Sequence, residues 1–157
     1  MIQAVESVRR QVVVGCSQQR AFEVFTAGMT SWWPKEHHIG SAPIDEIVIE
    51  PREGGRWYTR HTDGSETSTG YVATWDPFDR LVLTWQINAE WKYDVGLVTN
   101  VELRFVAEGP DRTRVELEHR DLDRYGADAD RMRQTFEQPG AWEATLAAFA
   151  AQAQTPA

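Results

Sequence analysis

Two runs of alternating side chains, 97–107 and 113–120, constrain this chain more than any other feature. In the first, Val101, Leu103 and Phe105 share one face, with Glu102 and Arg104 on the other. In the second, Val115, Leu117 and His119 share a face opposite Glu116 and Glu118. The turn Gly109-Pro110-Asp111 joins the two runs. A period of two marks strands with one buried and one wet face, and so short a connection makes the pair antiparallel. A sheet with one apolar face needs a cover. The segment able to supply it is C-terminal: Met132 and Phe136 are four residues apart, and Trp142, Leu146, Phe149 and Ala153 form one stripe beyond Pro139-Gly140. That proline and glycine interrupt or kink the helix.

The remaining pattern is consistent with such a sheet. Strands are expected at 7–14, 44–50, 56–61, 67–75 and 81–87. Ser17 is placed to cap a helix over 18–25, with Ala21, Phe22 and Phe25 on one face. A second short helix runs into Trp32-Trp33 and stops at Pro34. Gly54-Gly55 reads as a bulge that bends a strand, and 88–96 as a long hairpin loop carrying Trp91 and Tyr93. The expected fold class is α+β: one strand, two short helices, an antiparallel meander, then a long helix. With about six or seven strands it makes one domain over 1–157, its core at 7–153 and a frayed tail at 154–157.

Composition removes several function classes. The net charge is −8 over 157 residues, which argues against nucleic acid, whose phosphates demand clustered cations. It also argues against anionic membrane surfaces. No apolar run approaches the ~20 residues needed to span a bilayer, and the first residues lack a signal-peptide pattern. One cysteine, Cys16, cannot form an internal disulfide, so a reducing cytoplasm is the expected compartment. Seven tryptophans call for a thick core or an aromatic cavity.

A series of spaced segments then points to a family. It comprises Trp32-Trp33-Pro34-Lys35-Glu36-His37-His38-Ile39-Gly40, Glu50-Pro51-Arg52-Glu53-Gly54-Gly55-Arg56-Trp57 and Gly70-Tyr71-Val72. It continues with Trp75-Asp76-Pro77, Leu81–Trp85, Thr113–His119 and Gly140-Ala141-Trp142. In that order the chain resembles the Bet v 1-like, START-related (SRPBCC) helix-grip superfamily, and within it bacterial homologues of the Hsp90 ATPase activator C-terminal domain. The resemblance implies a curved antiparallel sheet wrapped around a C-terminal helix, with a cavity between them. It implies a small hydrophobic or amphipathic ligand, and in a minority of members a cyclase or hydrolase. It supplies no shared catalytic set. An Hsp90-type chaperone is not expected as partner, because the activator uses a further N-terminal domain to engage it.

Strand and helix faces nominate the cavity wall: Phe25, Trp33, His38, Trp57, Thr59, Leu83, Trp85, Leu103, Phe105, Leu117, His119, Met132, Phe136, Trp142, Leu146 and Phe149. For each of them, simple core packing is the competing reading. No catalytic residue is assigned. The one candidate is His119, inward by alternation, with a hydrogen-bonded core histidine as its alternative. His61, beside a turn, is read as solvated. His37 and His38 are adjacent and point apart in an extended segment, and the histidines and Cys16 show no metal-ligand spacing, so neither metal nor cofactor is expected. Cys16 is read as a buried structural thiol, Arg52, Glu53 and Arg56 as a solvated ion-paired turn, and Asp121, Asp123, Asp128 and Asp130 as a solvated acidic approach to the last helix. Three functions remain open: a binding or carrier protein without turnover, which leads; an enzyme in the same cavity; and a chaperone-linked or regulatory interaction module using Trp91 and Tyr93, a loop that also suits a lid or a homodimer contact.

Overall fold

A computed structural model describes residues 5–155. The strands are β1 (Val8–Val14), β2 (Ile44–Ile49), β3 (Arg56–His61), β4 (Glu66–Asp76), β5 (Arg80–Trp85), β6 (Thr99–Gly109) and β7 (Arg112–Arg120). They form one seven-stranded antiparallel sheet in the order β1-β7-β6-β5-β4-β3-β2. The two alternating runs are its β6–β7 hairpin. Val101 faces His119, Leu103 faces Leu117 and Phe105 faces Val115, so each inward rung is a cross-strand pair.

The helices are α1 (Gln18–Phe25), α2 (Met29–Trp32), α3 (Ala129–Glu137) and α4 (Ala144–Ala153). Ser17 caps α1 as expected, its Oγ accepting the Arg20 N–H at 3.1 Å. A 3-10 turn over Leu122–Asp128 leads into α3. The expected long helix is two pieces, joined by a π-helical turn at Pro139–Glu143. Pro139 has no N–H to continue α3, and Ala141 leaves helical geometry at φ −94°, ψ −122°. α4 packs on β1, α1 and α2, and α3 reaches β1.

The sheet curls where its registers slip. Pairing shifts between Trp57 and Tyr58 against β4, and between Val72 and Thr74 against β5. Such bulges bend a strand and sharpen its twist. Gly70 sits at the tightest approach: a Cβ there would lie 2.0 Å from the Thr84 carbonyl oxygen, so only glycine lets β4 pass β5.

One half of the interior is packed solid. Phe22, Phe25, Trp32, Phe105 and Phe149 meet edge-on or tilted, with ring centroids 5.1–5.9 Å apart along the chain of contacts. Leu81, Leu83, Leu103, Leu117, Met132 and Leu146 fill the space around them.

Three readings change. The strand expected at 81–87 ends at Trp85, and Ile87 instead bridges Tyr93 across the loop. Within the tail expected to fray, Gln154 accepts the Gly15 N–H at 2.9 Å and the Thr155 carbonyl accepts from Arg20 at 2.6 Å; residues 156–157 lie outside the described residues. Glu102, assigned to the wet face, is buried there. Arg80 donates to it at 2.9 Å and Arg104 at 2.7 Å, and Arg120 completes a threefold cage.

Burial alone would raise the Glu102 pKa, but the hydrogen bonds from Arg80, Arg120 and Arg104 outweigh it and hold the carboxyl at about 2. The depressed value sets the sign. The stabilisation is fully present above the unfolded carboxyl's pKa of about 4.3 and is lost as pH falls through about 2. Glu102→Gln strands three guanidinium groups and is expected to cost about 2 kcal/mol at neutral pH. Urea unfolding checks this, and an unchanged acid limb in the variant would refute the cage as its source.

Candidate functional site

Where the other half of the interior lies, the sheet and the broken C-terminal helices enclose a cavity of about 470 Å³. That is room for on the order of fifteen waters, within the range of small-molecule sites. β3 contributes Trp57 and Thr59, β4 contributes Thr67 and Thr69, and β5 contributes Trp85. Phe136 comes from α3, Trp142 from the π-turn and Thr145 from α4. The segment after α2 adds Trp33, Glu36, His37, His38 and Ile39, and loop 88–97 adds Trp91. α4 packs against β1, α1 and α2, while Gly140, Ala141 and Trp142 of the π-turn line the cavity.

Four indoles form a closed circuit on its wall. Ring centroids are 6.1 Å apart for Trp33–Trp57, 5.9 Å for Trp57–Trp85, 5.6 Å for Trp85–Trp142 and 6.1 Å for Trp142–Trp33. Their planes cross at 59–88°, the edge-to-face arrangement aromatic quadrupoles favour. Trp33 is pinned by its N–H to the His37 carbonyl at 2.7 Å. The Trp85 N–H is buried without a hydrogen bond. The Tyr125 hydroxyl donates to the Ile87 carbonyl at 2.7 Å; its oxygen keeps acceptor capacity, but the Trp85 N–H is not aligned on it, and burial raises the Tyr125 pKa.

His119 holds the fourth indole from behind. The Trp142 N–H donates to its Nδ1 at 3.1 Å, which makes Nδ1 the unprotonated nitrogen. Nε2–H therefore donates to the Thr99 hydroxyl at 2.9 Å, and that hydroxyl donates to the Trp85 carbonyl at 2.8 Å. Both ring nitrogens are used and the ring has no solvent exposure. Burial pushes its pKa down to about 3. It is a neutral positioning group and is not on the cavity wall.

The polar end is built from threonines and histidines. Thr59 and Thr67 face each other across β3 and β4. The Thr67 hydroxyl donates to His61 Nε2 at 2.8 Å, because His61 Nδ1–H must serve the Ala42 carbonyl at 2.8 Å. His61 is thus a buried bracket, not the solvated residue expected from its turn. Its ring meets that of His38, centroids 5.7 Å apart. His37 Nδ1 lies 3.5 Å from the Thr145 hydroxyl, which itself donates to the Ala141 carbonyl at 3.0 Å.

Of the nominated wall residues, Trp33, His38, Trp57, Thr59, Trp85, Phe136 and Trp142 line the cavity. Phe25, Leu83, Leu103, Phe105, Leu117, His119, Met132, Leu146 and Phe149 sit in the packed core instead. Inward direction alone does not separate the two, because α1 and α4 fill the β1–β6 half. Thr67 and Thr69 were missed: a 62–65 turn would set Thr59 against Ser68, whereas His61 pairs with Ser65 across a loop one residue shorter, which sets Thr59 against Thr67. The places of Glu36, His37 and Trp91 depend on loop paths that no periodicity records. Cys16 is buried, with its pKa raised by burial and partly lowered by Arg20, so the thiol form is favoured. Among the described residues no group of His, Cys, Asp and Glu could hold a metal ion, and no helix is long and apolar enough to cross a membrane. Asp121 and Asp128 bond to Asn100 and Arg131 respectively.

The family model described as "Activator of Hsp90 ATPase homolog 1-like protein" matches residues 16–153. No curated protein sequence matches. Among solved structures, an anthrahydroquino-gamma-pyrone synthase, Txn09, is 37% identical over 96% of this chain and 99% of its own, with a TM-score of 0.66. CalC, a self-sacrificing resistance protein from Micromonospora echinospora, is 29% identical over 95% of this chain and 94% of its own, with a TM-score of 0.72. An Hsp90 activator from Plasmodium falciparum shares the fold alone: 15% identity, 74% and 73% coverage, TM-score 0.52.

The His119 pKa fixes a pH dependence. The unfolded histidine takes up a proton below about 6.5, which the folded ring refuses until about 3. Stability is therefore whole above the first value and falls as pH drops toward the second. His119→Phe is expected to flatten unfolding free energy between about pH 6.5 and 5, above the Glu102 window, and to cost about 2 kcal/mol at neutral pH by orphaning the Trp142 N–H. A slope equal to wild type would count against the buried neutral imidazole.

Proposed function

The chain belongs to the Activator of Hsp90 ATPase homolog 1-like family, and from that premise we propose that it binds a planar, amphipathic aromatic molecule in the cavity under β2–β5. The observation that carries this reading is the circuit of four indoles beside a row of threonines. Flat apolar surface suits a fused-ring face, and Thr59, Thr67 and Thr69 suit hydroxyl or keto groups on its edge. Burying roughly 250 Å² of ligand at about 25 cal/mol per Å² contributes about 6 kcal/mol before the cost of association. Hydrogen bonds to the threonines then set orientation more than affinity.

A second reading, ring closure of such a molecule in the same cavity, draws on the 37% identity with a pyrone synthase. His37 supports it. Its Nδ1 faces Thr145, itself anchored to the Ala141 carbonyl, and an imidazole so oriented is suited to proton transfer. His119 has no such part, since both its nitrogens are occupied.

Calorimetric titration with a neutral hydroxyanthraquinone tests binding. One site per chain is expected, with Trp57→Ala weakening affinity about tenfold or more while circular dichroism stays native. No saturable heat with the wild type would overturn the proposal. Under the second reading His37→Gln retains binding and loses turnover of an open-chain precursor; equal turnover would dismiss it.

A further inference from the structure

The cavity wall carries an electrostatic asymmetry that the fold alone does not require. The chain has 16 lysines and arginines, yet none lines the cavity. Among the described residues the wall's sole carboxylate is Glu36, and its other polar side chains are threonines, Gln138, His37 and His38. The arginines are committed elsewhere: Arg80, Arg104 and Arg120 cage Glu102, Arg20 holds the Ala153 and Thr155 carbonyls, and Arg10 holds that of Glu137. Lys35 and Lys92 neighbour wall residues in sequence but are exposed and off the wall.

We infer that the cavity selects its ligand by charge, admitting neutral or amine-bearing aromatic molecules and rejecting carboxylates, sulfates and phosphates. This rests on the proposed reading of the cavity as an aromatic-ligand site. An anion entering it would lose water and meet no cation to replace the lost solvation. Recognition of carboxylate or phosphate normally comes from an arginine fork or a lysine, and neither is on the wall. The indole faces repel an anion and attract a cation, and Glu36 acts in the same direction. The chain's net charge of −8 adds to this in the long-range field that an approaching ligand meets. The wall's threonines and Gln138, by contrast, hydrogen-bond uncharged hydroxyl and keto groups without a desolvated ion.

A matched series tests it: anthraquinones carrying hydroxymethyl, aminomethyl or carboxylate at one ring position, titrated calorimetrically at about pH 8, above the range in which imidazoles take up protons. The carboxylate is expected to bind at least roughly 30-fold more weakly than the hydroxymethyl compound, and the aminomethyl compound at least as tightly. Glu36→Gln should reduce the aminomethyl compound's affinity relative to the hydroxymethyl compound's. Gln138→Lys, at an exposed wall position, should raise carboxylate affinity about fivefold. Three equal affinities would overturn the charge selection while leaving the aromatic site intact. Failure of all three to bind would overturn the site itself and this inference with it.

Discussion

A neutral imidazole without solvent contact joins the C-terminal helices to the sheet. His119 accepts from the Trp142 indole and donates to Thr99, whose hydroxyl ends on the Trp85 carbonyl. Every hydrogen in that chain has one possible direction, because the indole can only donate and the carbonyl can only accept. The chain fixes the tautomer, and the tautomer fixes the orientation of Trp142. That indole closes the circuit with Trp33, Trp57 and Trp85. The shape of the cavity therefore depends on a residue that never touches it. The same packing that excludes water keeps the ring uncharged, so the wall is held by a group with no charge of its own.

Charge is kept on the other side of the sheet. Glu102 and its three arginines form a compact network on the outer face, where partial exposure of the arginines keeps the desolvation cost low. The inner face has neutral hydrogen-bonding groups and aromatic rings. Two strands achieve this division with one alternation: β6 sends Val101, Leu103 and Phe105 inward and Glu102 and Arg104 outward. The outer network tightens β5, β6 and β7 against one another, and the inner face is left free to set the chemistry of the cavity.

The curvature that makes a cavity possible has equally local causes. The register slips in β4, with Gly70 at the closest approach to Thr84, turn β2 and β3 away from the direction of β6 and β7. A π-turn between α3 and α4 prevents one straight helix from filling the space. Core packing on the β1–β6 side and hollowness on the β2–β5 side are consequences of these two breaks. They also explain why half of the inward-facing residues never reach the cavity.

The sequence by itself determined the pairing of the β6–β7 hairpin, the inward sets on β3, β5, β6 and β7, the capped first helix, the break at Pro139-Gly140 and the family. These follow from short-range rules, since a side chain's direction on a strand depends only on its own position and its neighbours'. Tertiary structure alone decided which inward residues pack and which enclose space. Leu117 and Trp57 look alike in an alternation, yet one is core and the other is wall. It also decided that Glu102 is buried on the outer face, that His61 is a buried bracket and His119 a neutral one, and that Glu36, His37 and Trp91 reach the cavity. Each of these depends on what a distant segment brings to the residue, and burial and electrostatic environment are properties of that meeting, which no local pattern encodes.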